Sequence, residues 1–389
     1  MDVAESAQAM VSSSDDGTIA FWDLRGTSPG VTALAERPDG RTQVVATPDG
    51  RVFTGDRSGV VREWGPNGSP VGPAHQLSDV PIVSLAVSSA GTRVALARSD
   101  GSAQVFELPS AHALTPKLSA GPGAAAVALS PDGQRLVTVA TNNDCDACFT
   151  LYDLARAPLQ GRTLRSPAFG EGKRSPGTAA AFDSTGAHLV TGSRNGWVDS
   201  WDPATGVHQW SAGLPRGVRS LAHSPDGACV AVGANSGLLT VLDGSSGERL
   251  QQLDGHRGPV VSVGFSPDGT LLASASSQDH AMRLWRLDLG LTVGRPVWLG
   301  VDGDSSLAWT DGGRTVVAPH LLVGAMFYSI DPERTTQAAC RLAGRNLSTQ
   351  EWRQYFGESP YRPTCPSYRS AASEPSAGAG DPGPPKATR

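Results

Sequence analysis

A glycine turn returns along this chain at an almost constant interval. Gly50, Gly91, Gly133, Gly186, Gly227, Gly269 and Gly312 are separated by 41, 42, 53, 41, 42 and 43 residues, so only one spacing is long. One phrase fills the intervals: a short apolar strand, a Pro-Asp-Gly-like turn, a second apolar strand ending in Ser or Thr and Gly, a polar turn, and a strand ending in Trp. The run from Val260 to Trp285 shows it whole, with β-branched and aliphatic residues alternating around Pro267-Asp268-Gly269. Such segments form hairpins. Their shortness and alternation rule out the helices of a helical solenoid, and a repeat of about 42 residues with four strands per unit is that of a β-propeller.

The 46 Gly and 29 Pro in 389 residues agree with many tight turns and an all-β chain. A formal charge of −5 supplies no general cationic field for phosphate backbones, so nucleic acid is not an expected partner. No apolar run approaches the roughly 20 residues of a membrane span, and the opening MDVAESAQAM lacks the basic start and apolar stretch of a secretory signal. Five Cys do not make a disulfide framework in a chain of this length. These features together predict a cytoplasmic protein in a reducing compartment, with no membrane contact and a monomeric state.

The strand ends carry a family signature. Trp22-Asp23, Trp201-Asp202, Tyr152-Asp153 and Leu242-Asp243 end strands, Trp64 and Trp285 stand bare at the same place, and Gly255-His256 precedes the most complete repeat. With these residues the chain resembles the WD-repeat family over roughly residues 7 to 331. The resemblance implies a protein-binding propeller in which a buried polar tetrad ties blades together, and here only His256, Ser274, Asp279 and Trp285 match that set. A His, a hydroxyl, a carboxylate and an indole N–H can satisfy one another where any one buried alone would be costly. A catalytic His-Asp-Ser reading of these residues is the weaker one.

Seven turns predict seven blades, with eight as the alternative. The last repeat (Leu307 to Ile330) lacks its own outer strand, and by analogy with propellers Val31 to Glu36 supplies it and closes the ring. The expected organisation is a partial repeat hairpin at 1–24, the propeller at 25–331, a helical extension at 332–366 and a disordered tail at 367–389. The surplus hairpin within Ala9 to Leu24 reads as the middle of a repeat, as though the chain were the C-terminal part of a longer ancestor. In the extension, Asp331-Pro332 opens one helix, and Ser348 with Glu351 reads as the capping box of a second, with Leu347 and Trp352 as its staple. The string spanning 339–366 resembles tails that follow propellers in large bacterial signalling proteins, including signal-transduction ATPases, whose sensor such a ring would be.

No catalytic, cofactor or metal site is read from the sequence. Gly26 to Gly30 fits a serine-hydrolase elbow only as a string, in a loop with Pro29 after Ser28. Gly378 to Gly383 matches a dinucleotide pattern without the strand and helix that motif needs. Cys145 and Cys148 form a single CxxC with no second pair for zinc, leaving two thiols or a local cross-link. Cys340 and Cys365 flank the helical pair and could approach each other, with two thiols favoured over a disulfide in a cytoplasmic protein, and Cys229 is expected as a small core residue. The inner strands look too apolar for a lactonase or hydrolase working in the channel.

Binding is expected on the loops instead. The turns between second and third strands, with the connections between blades, hold Arg57, Arg98, Lys173, Arg174, Arg194, Arg216 and Arg257. They predict a cationic face for an acidic protein or peptide, opposite a more acidic face, with Asp56, Asp79 and Asp100 diluting the contrast. The long spacing adds Ser166 to Gly177 to the same face.

Overall fold

The computed structural model describes residues 2–3, 9–13, 19–23, 31–33, 43–65, 68–119, 125–141, 148–169, 176–299, 306–320 and 324–331, then 333–334, 337, 340, 345–356, 360–363 and 365. The chain divides into two compact units, Val31–Ile330 and a second made from Met1–Gly30 with Asp331–Arg389.

The larger unit holds seven antiparallel sheets. The first blade is Gln43–Ala46, Val52–Gly55, Val60–Trp64 and Pro70–Gln76. The second is Ile82–Val87, Arg93–Arg98 and Ser102–Glu107, edged by the short strands His112–Ala113 and Leu118–Ser119. The third is Ala125–Leu129, Arg135–Ala140, Phe149–Asp153 and Gly161–Leu164. Then follow Gly177–Phe182, Leu189–Ser193, Trp197–Asp202 and Val207–Gly213 as the fourth, and Val218–His223, Cys229–Ala234, Leu239–Asp243 and Arg249–Leu253 as the fifth. The sixth is Val260–Phe265, Leu271–Ser276, Ala281–Arg286 and Leu291–Trp298. The seventh takes three strands from the end of the ring, Ala308–Thr310, Thr315–His320 and Gly324–Ser329, and its outer strand, Val31–Ala33, from the start.

That last pairing sets Ala33 opposite Met326 and Val31 opposite Tyr328, so the two ends of the ring share one sheet. Seven apolar clusters complete the circle, each between neighbouring sheets. The closing cluster joins Val44, Val52 and Trp64 of the first blade to Ala308, Val317, Ala325 and Phe327 of the seventh. Serines on or just before the inner strands add a polar stitch between blades. Ser84 Oγ accepts the Val127 N–H at 3.2 Å, Ser262 Oγ accepts Leu307 N–H at 2.9 Å, and Ser306 Oγ accepts Val44 N–H at 2.7 Å across the closure.

The recurring turn owes its shape to three residues acting together. In Ser266-Pro267-Asp268-Gly269 the Ser266 hydroxyl donates to Asp268, whose carboxylate accepts the Thr270 N–H, while Gly269 at φ +72° returns its own N–H to the Ser266 carbonyl. The same hydroxyl-to-carboxylate bond recurs at Thr47 and Asp49, Ser130 and Asp132, and Ser224 and Asp226. Each of these carboxyls is held below its ordinary range. Hydroxyl bonding is the largest cause for Asp49, Asp226 and Asp268, whereas for Asp132 an opposing desolvation is larger than any single bond.

The eight-bladed alternative gives way to seven. The N-terminal strands Asp2–Val3, Ala9–Ser13 and Ile19–Asp23 form a three-stranded sheet assigned to the smaller unit. Of the expected helical pair, the described residues carry one helix, Thr349–Phe356, directly after Ser348. The first helix lies largely outside the described residues, so the pair is not part of the described fold; the tail at 367–389 also lies outside them. The cysteine expectation changes as well. Cys340 and Cys365 are bridged, because folding brings their Cα atoms to 5.4 Å, within reach of a disulfide. Cys148 is also disulfide-bonded, and Cys229 is free. Disulfides belong to oxidising compartments, so cysteine usage no longer argues for a reducing one.

The turn glycines make a graded prediction. Alanine at Gly269 meets nothing closer than 3.7 Å and suffers only the left-handed backbone, which costs about 1–2 kcal/mol. Alanine at Gly237, also left-handed, would place its Cβ 2.3 Å from the His256 carbonyl oxygen. Urea unfolding is therefore expected to show a clearly larger loss for Gly237→Ala than for Gly269→Ala.

Candidate functional site

In the sixth blade the structure brings together all four members of the tetrad expected from sequence. His256 Nδ1 lies 3.0 Å from Asp279 Oδ2, its Nε2 lies 2.7 Å from Ser274 Oγ, and the Trp285 indole donates to the same oxygen at 2.8 Å. One proton arrangement satisfies every atom. The imidazole donates from Nδ1 to the carboxylate, and the hydroxyl donates to Nε2 while accepting from the indole. Burial pushes the His256 pKa down against the pull of Asp279, which favours the neutral ring this arrangement requires. The Asp, His and Ser order is that of a hydrolase triad, but Ser274 is 0% exposed and its oxygen already accepts the Trp285 indole N–H. A hydroxyl so placed meets no substrate.

Two other blades keep half of this arrangement. Trp64 donates to Thr54 Oγ1 at 2.7 Å in the first blade, and Trp201 to Thr191 Oγ1 at 2.9 Å in the fourth. The sequence signal was a threonine ten residues before each Trp, which the search for a Gly-His step passed over. In the fourth blade a separate cluster gathers on Asp199, whose Oδ1 accepts the Ser166 and Ser211 hydroxyls and lies 3.3 Å from His208 Nε2.

The candidate binding arginines divide. Alternating strand direction puts the turns between second and third strands on one face of the ring, together with the blade connections; Arg57, Arg194, Arg216 and Arg257 are exposed on loops of this face. Arg194 and Arg216 belong to loops joined by the bond from Leu214 N–H to the Gly196 carbonyl at 2.8 Å. Arg98 must be removed from the set. It is 2% exposed, and its guanidinium donates to Ser78 Oγ, the Leu77 carbonyl and Gln104 Oε1. A cation at the end of the blade's second strand folds under the preceding connection, where these acceptors replace water. Lys173 and Arg174 lie outside the described residues.

The opposite face opens into a cavity of about 530 Å³ at the mouth of the ring, and all seven blades contribute to its lining. Phe182, Phe265 and Trp309 supply aromatic surface, and Asp183 and His223 supply the polar groups. Sequence reasoning missed both, because a residue at the end of an inner strand turns toward the axis only once the ring has closed. Both ring nitrogens of His223 are buried without a hydrogen-bond partner among the described residues. Burial accordingly pushes its pKa down to about 4, against the opposing influence of Asp183. The Asp183 oxygens accept the Thr185 hydroxyl and the His188 backbone N–H, so the two residues do not form a hydrogen-bonded acid and base. Among the described residues no group of three or more His, Cys, Asp or Glu is placed to hold a metal ion. No helix among them is long and apolar enough to cross a membrane.

Known proteins resemble the chain in fold and in part of its sequence. The profile of the WD domain, G-beta repeat, matches residues 247–286, which include the tetrad. A WD repeat-containing protein SL1-17 from Schistosoma mansoni is 36% identical over 149 residues, covering 38% of this chain and 47% of that protein. A serine-threonine kinase receptor-associated protein from Gallus gallus is 39% identical over 80 residues, 21% of this chain and 23% of its own length. The chain thus matches about half of the first relative and about a quarter of the second. The β-propeller domain of Cps50 (Swd1) from Myceliophteria thermophila superposes with a TM-score of 0.65 over 77% of this chain and 99% of that one, at 18% identity, a likeness of fold alone.

Two outcomes follow from the buried polar groups. Ser274→Ala strands both His256 Nε2 and the Trp285 N–H and is expected to cost about 2–4 kcal/mol, while Thr54→Ala strands one indole and costs about 1–2 kcal/mol. Calorimetric melting distinguishes them. For His223 the folded pKa lies below the ordinary 6.5, so its stability contribution is complete above pH 6.5 and declines as the pH falls toward 4 and the unfolded chain takes the proton. The loss is on the order of 3 kcal/mol, and His223→Phe is expected to flatten that part of the stability-pH curve.

Proposed function

We propose, from the premise that this chain is a seven-bladed propeller carrying a WD repeat, that it is a non-catalytic interaction module whose arginine-bearing loop face receives an acidic segment of another protein. The observation that carries the reading is the pair of exposed guanidinium groups at Arg194 and Arg216, on loops that bond to each other, with Arg57 and Arg257 on the same face. Charges mounted on a rigid ring act as a fixed array, and such arrays steer complementary partners and set register. Loops on a stable scaffold are also where binding concentrates.

Against an enzyme working from the channel stands the arrangement at its mouth. Asp183 and His223 are both perturbed there, but the carboxylate is occupied by its own turn and the imidazole is not hydrogen-bonded to it. The resemblance of residues 339–366 to bacterial signalling tails supports a second reading, a sensor from a signal-transduction ATPase; the relatives described above are eukaryotic WD proteins and lend it no weight.

The test is affinity capture from the native cell with the full chain and a variant carrying Arg57→Glu, Arg194→Glu, Arg216→Glu and Arg257→Glu. Partners held by the parent chain at low salt are expected to be lost by the variant and by raising the ionic strength. An unchanged set of captured proteins on a folded variant would remove this face from consideration.

A further inference from the structure

On the side of the ring opposite those loops, where the third and fourth blades meet, a groove of about 390 Å³ is lined by three arginines. They arrive from separate parts of the third blade. Arg135 begins its second strand, Arg156 sits in the turn after its third, and Arg162 lies on its outer strand. Among the described lining residues Asp153 is the one carboxylate, against three arginines, a surplus of two positive charges within the groove. Its partner Arg156, held at 3.0 Å, is 80% exposed, a contact readily exchanged for another anion.

The other two guanidinium groups are not taken up by side-chain hydrogen bonds. Neither Arg135 nor Arg162 donates a side-chain hydrogen bond among the described residues. Asp132 and Asp202 each lie close enough for Arg135 to help hold their carboxyls low, but both are taken up by donors of their own turns: Asp132 accepts the Ser130 hydroxyl and the Gln134 N–H, and Asp202 the Ala204 and Thr205 N–H groups and the Thr205 hydroxyl. Arg162 is also fixed in place. A Cβ at Gly206 of the fourth blade would lie 2.6 to 2.9 Å from its Cδ, Nη1 and Nε, so the bare backbone of that turn is what lets the guanidinium lie across the blade boundary. The walls beside it, Pro158, Pro203 and Tyr152, are largely apolar.

We propose that this groove binds a phosphorylated serine or threonine of a partner polypeptide. Guanidinium forks match phosphate oxygens in pairs, and a phosphoryl group near −2 complements the surplus of two charges. The cavity exceeds what a phosphate alone fills, and the proline and tyrosine walls suit the stem and backbone that carry it. None of these residues belongs to the arginine-bearing loop face, so either proposal can fail without the other.

Isothermal titration at low salt with the full chain tests it, using a blocked alanine peptide that carries one central phosphoserine. Binding is expected to be at least roughly tenfold tighter than for the unphosphorylated peptide and for inorganic phosphate, and to weaken roughly tenfold in Arg162→Gln, an exposed position on an outer strand. Arg135→Gln added to it should weaken binding again, with a thermal melt confirming the fold, while Arg57→Glu leaves it unchanged. Equal binding of the unphosphorylated peptide, or an unaltered affinity in Arg162→Gln, overturns the site. Inorganic phosphate binding as tightly as the peptide overturns the polypeptide as its source.

Discussion

Closure of the ring rests on apolar contact between neighbouring sheets. Each four-stranded sheet has two faces to cover, and none can cover both alone; seven interfaces arranged in a circle leave no face unpaired. The burden is shared evenly enough that the largest buried side chains, Trp64, Trp285, Phe53 and the strand leucines, are distributed around the circle. The weakest point of any such circle is where its ends meet. Here that point is secured three times, by the Val31–Ala33 strand in the seventh blade, by the cluster of Trp64 with Phe327, and by Val44 and Gly50 bonding to Ser306 and Thr310.

Polar groups inside this apolar circle are used in proportion to how completely they can be satisfied. The sixth blade buries a His, a hydroxyl, a carboxylate and an indole because each finds its partner. In the first and fourth blades a buried indole and a buried hydroxyl satisfy one another. The second blade buries a guanidinium, Arg98, and surrounds it with acceptors from the preceding connection. These solutions differ in chemistry but obey one rule, that a buried donor left alone costs more than a well-made bond returns. His223 departs from that rule, and its lowered pKa is the mark of the departure.

The two sides of the ring differ in how their charges are held. On the turn side the Asp residues of the Pro-Asp-Gly turns are tied to hydroxyl and backbone donors of their own hairpins, so their charge is fixed and already partnered. The arginines of the loop side, and those between the third and fourth blades, have fewer such ties. Charge that the fold has not consumed is what remains for a partner, and by that measure arginine, rather than the more regular aspartate, marks where this surface is open to binding.

Periodicity by itself indicated the hairpins and favoured seven blades with eight left open, because both follow from local alternation and a count of turns; the borrowed outer strand came from analogy with propellers, and the structure decided the count and the closure. The tetrad was legible too, through the resemblance of this one repeat to the WD-repeat family. What the chain could not reveal locally depended on neighbours far away in sequence. Arg98 looked like a surface cation until the preceding loop was seen to enclose it, and the pairing of Cys340 with Cys365, open in the sequence, was decided by folding that brought their backbones together. Asp183 and His223 became groups of one cavity, and Arg135 and Arg162 became walls of one groove, only after sheets had packed side by side. A strand's alternation states which face a residue occupies; which residues stand opposite is decided by sheet-on-sheet packing and by the closing of the circle.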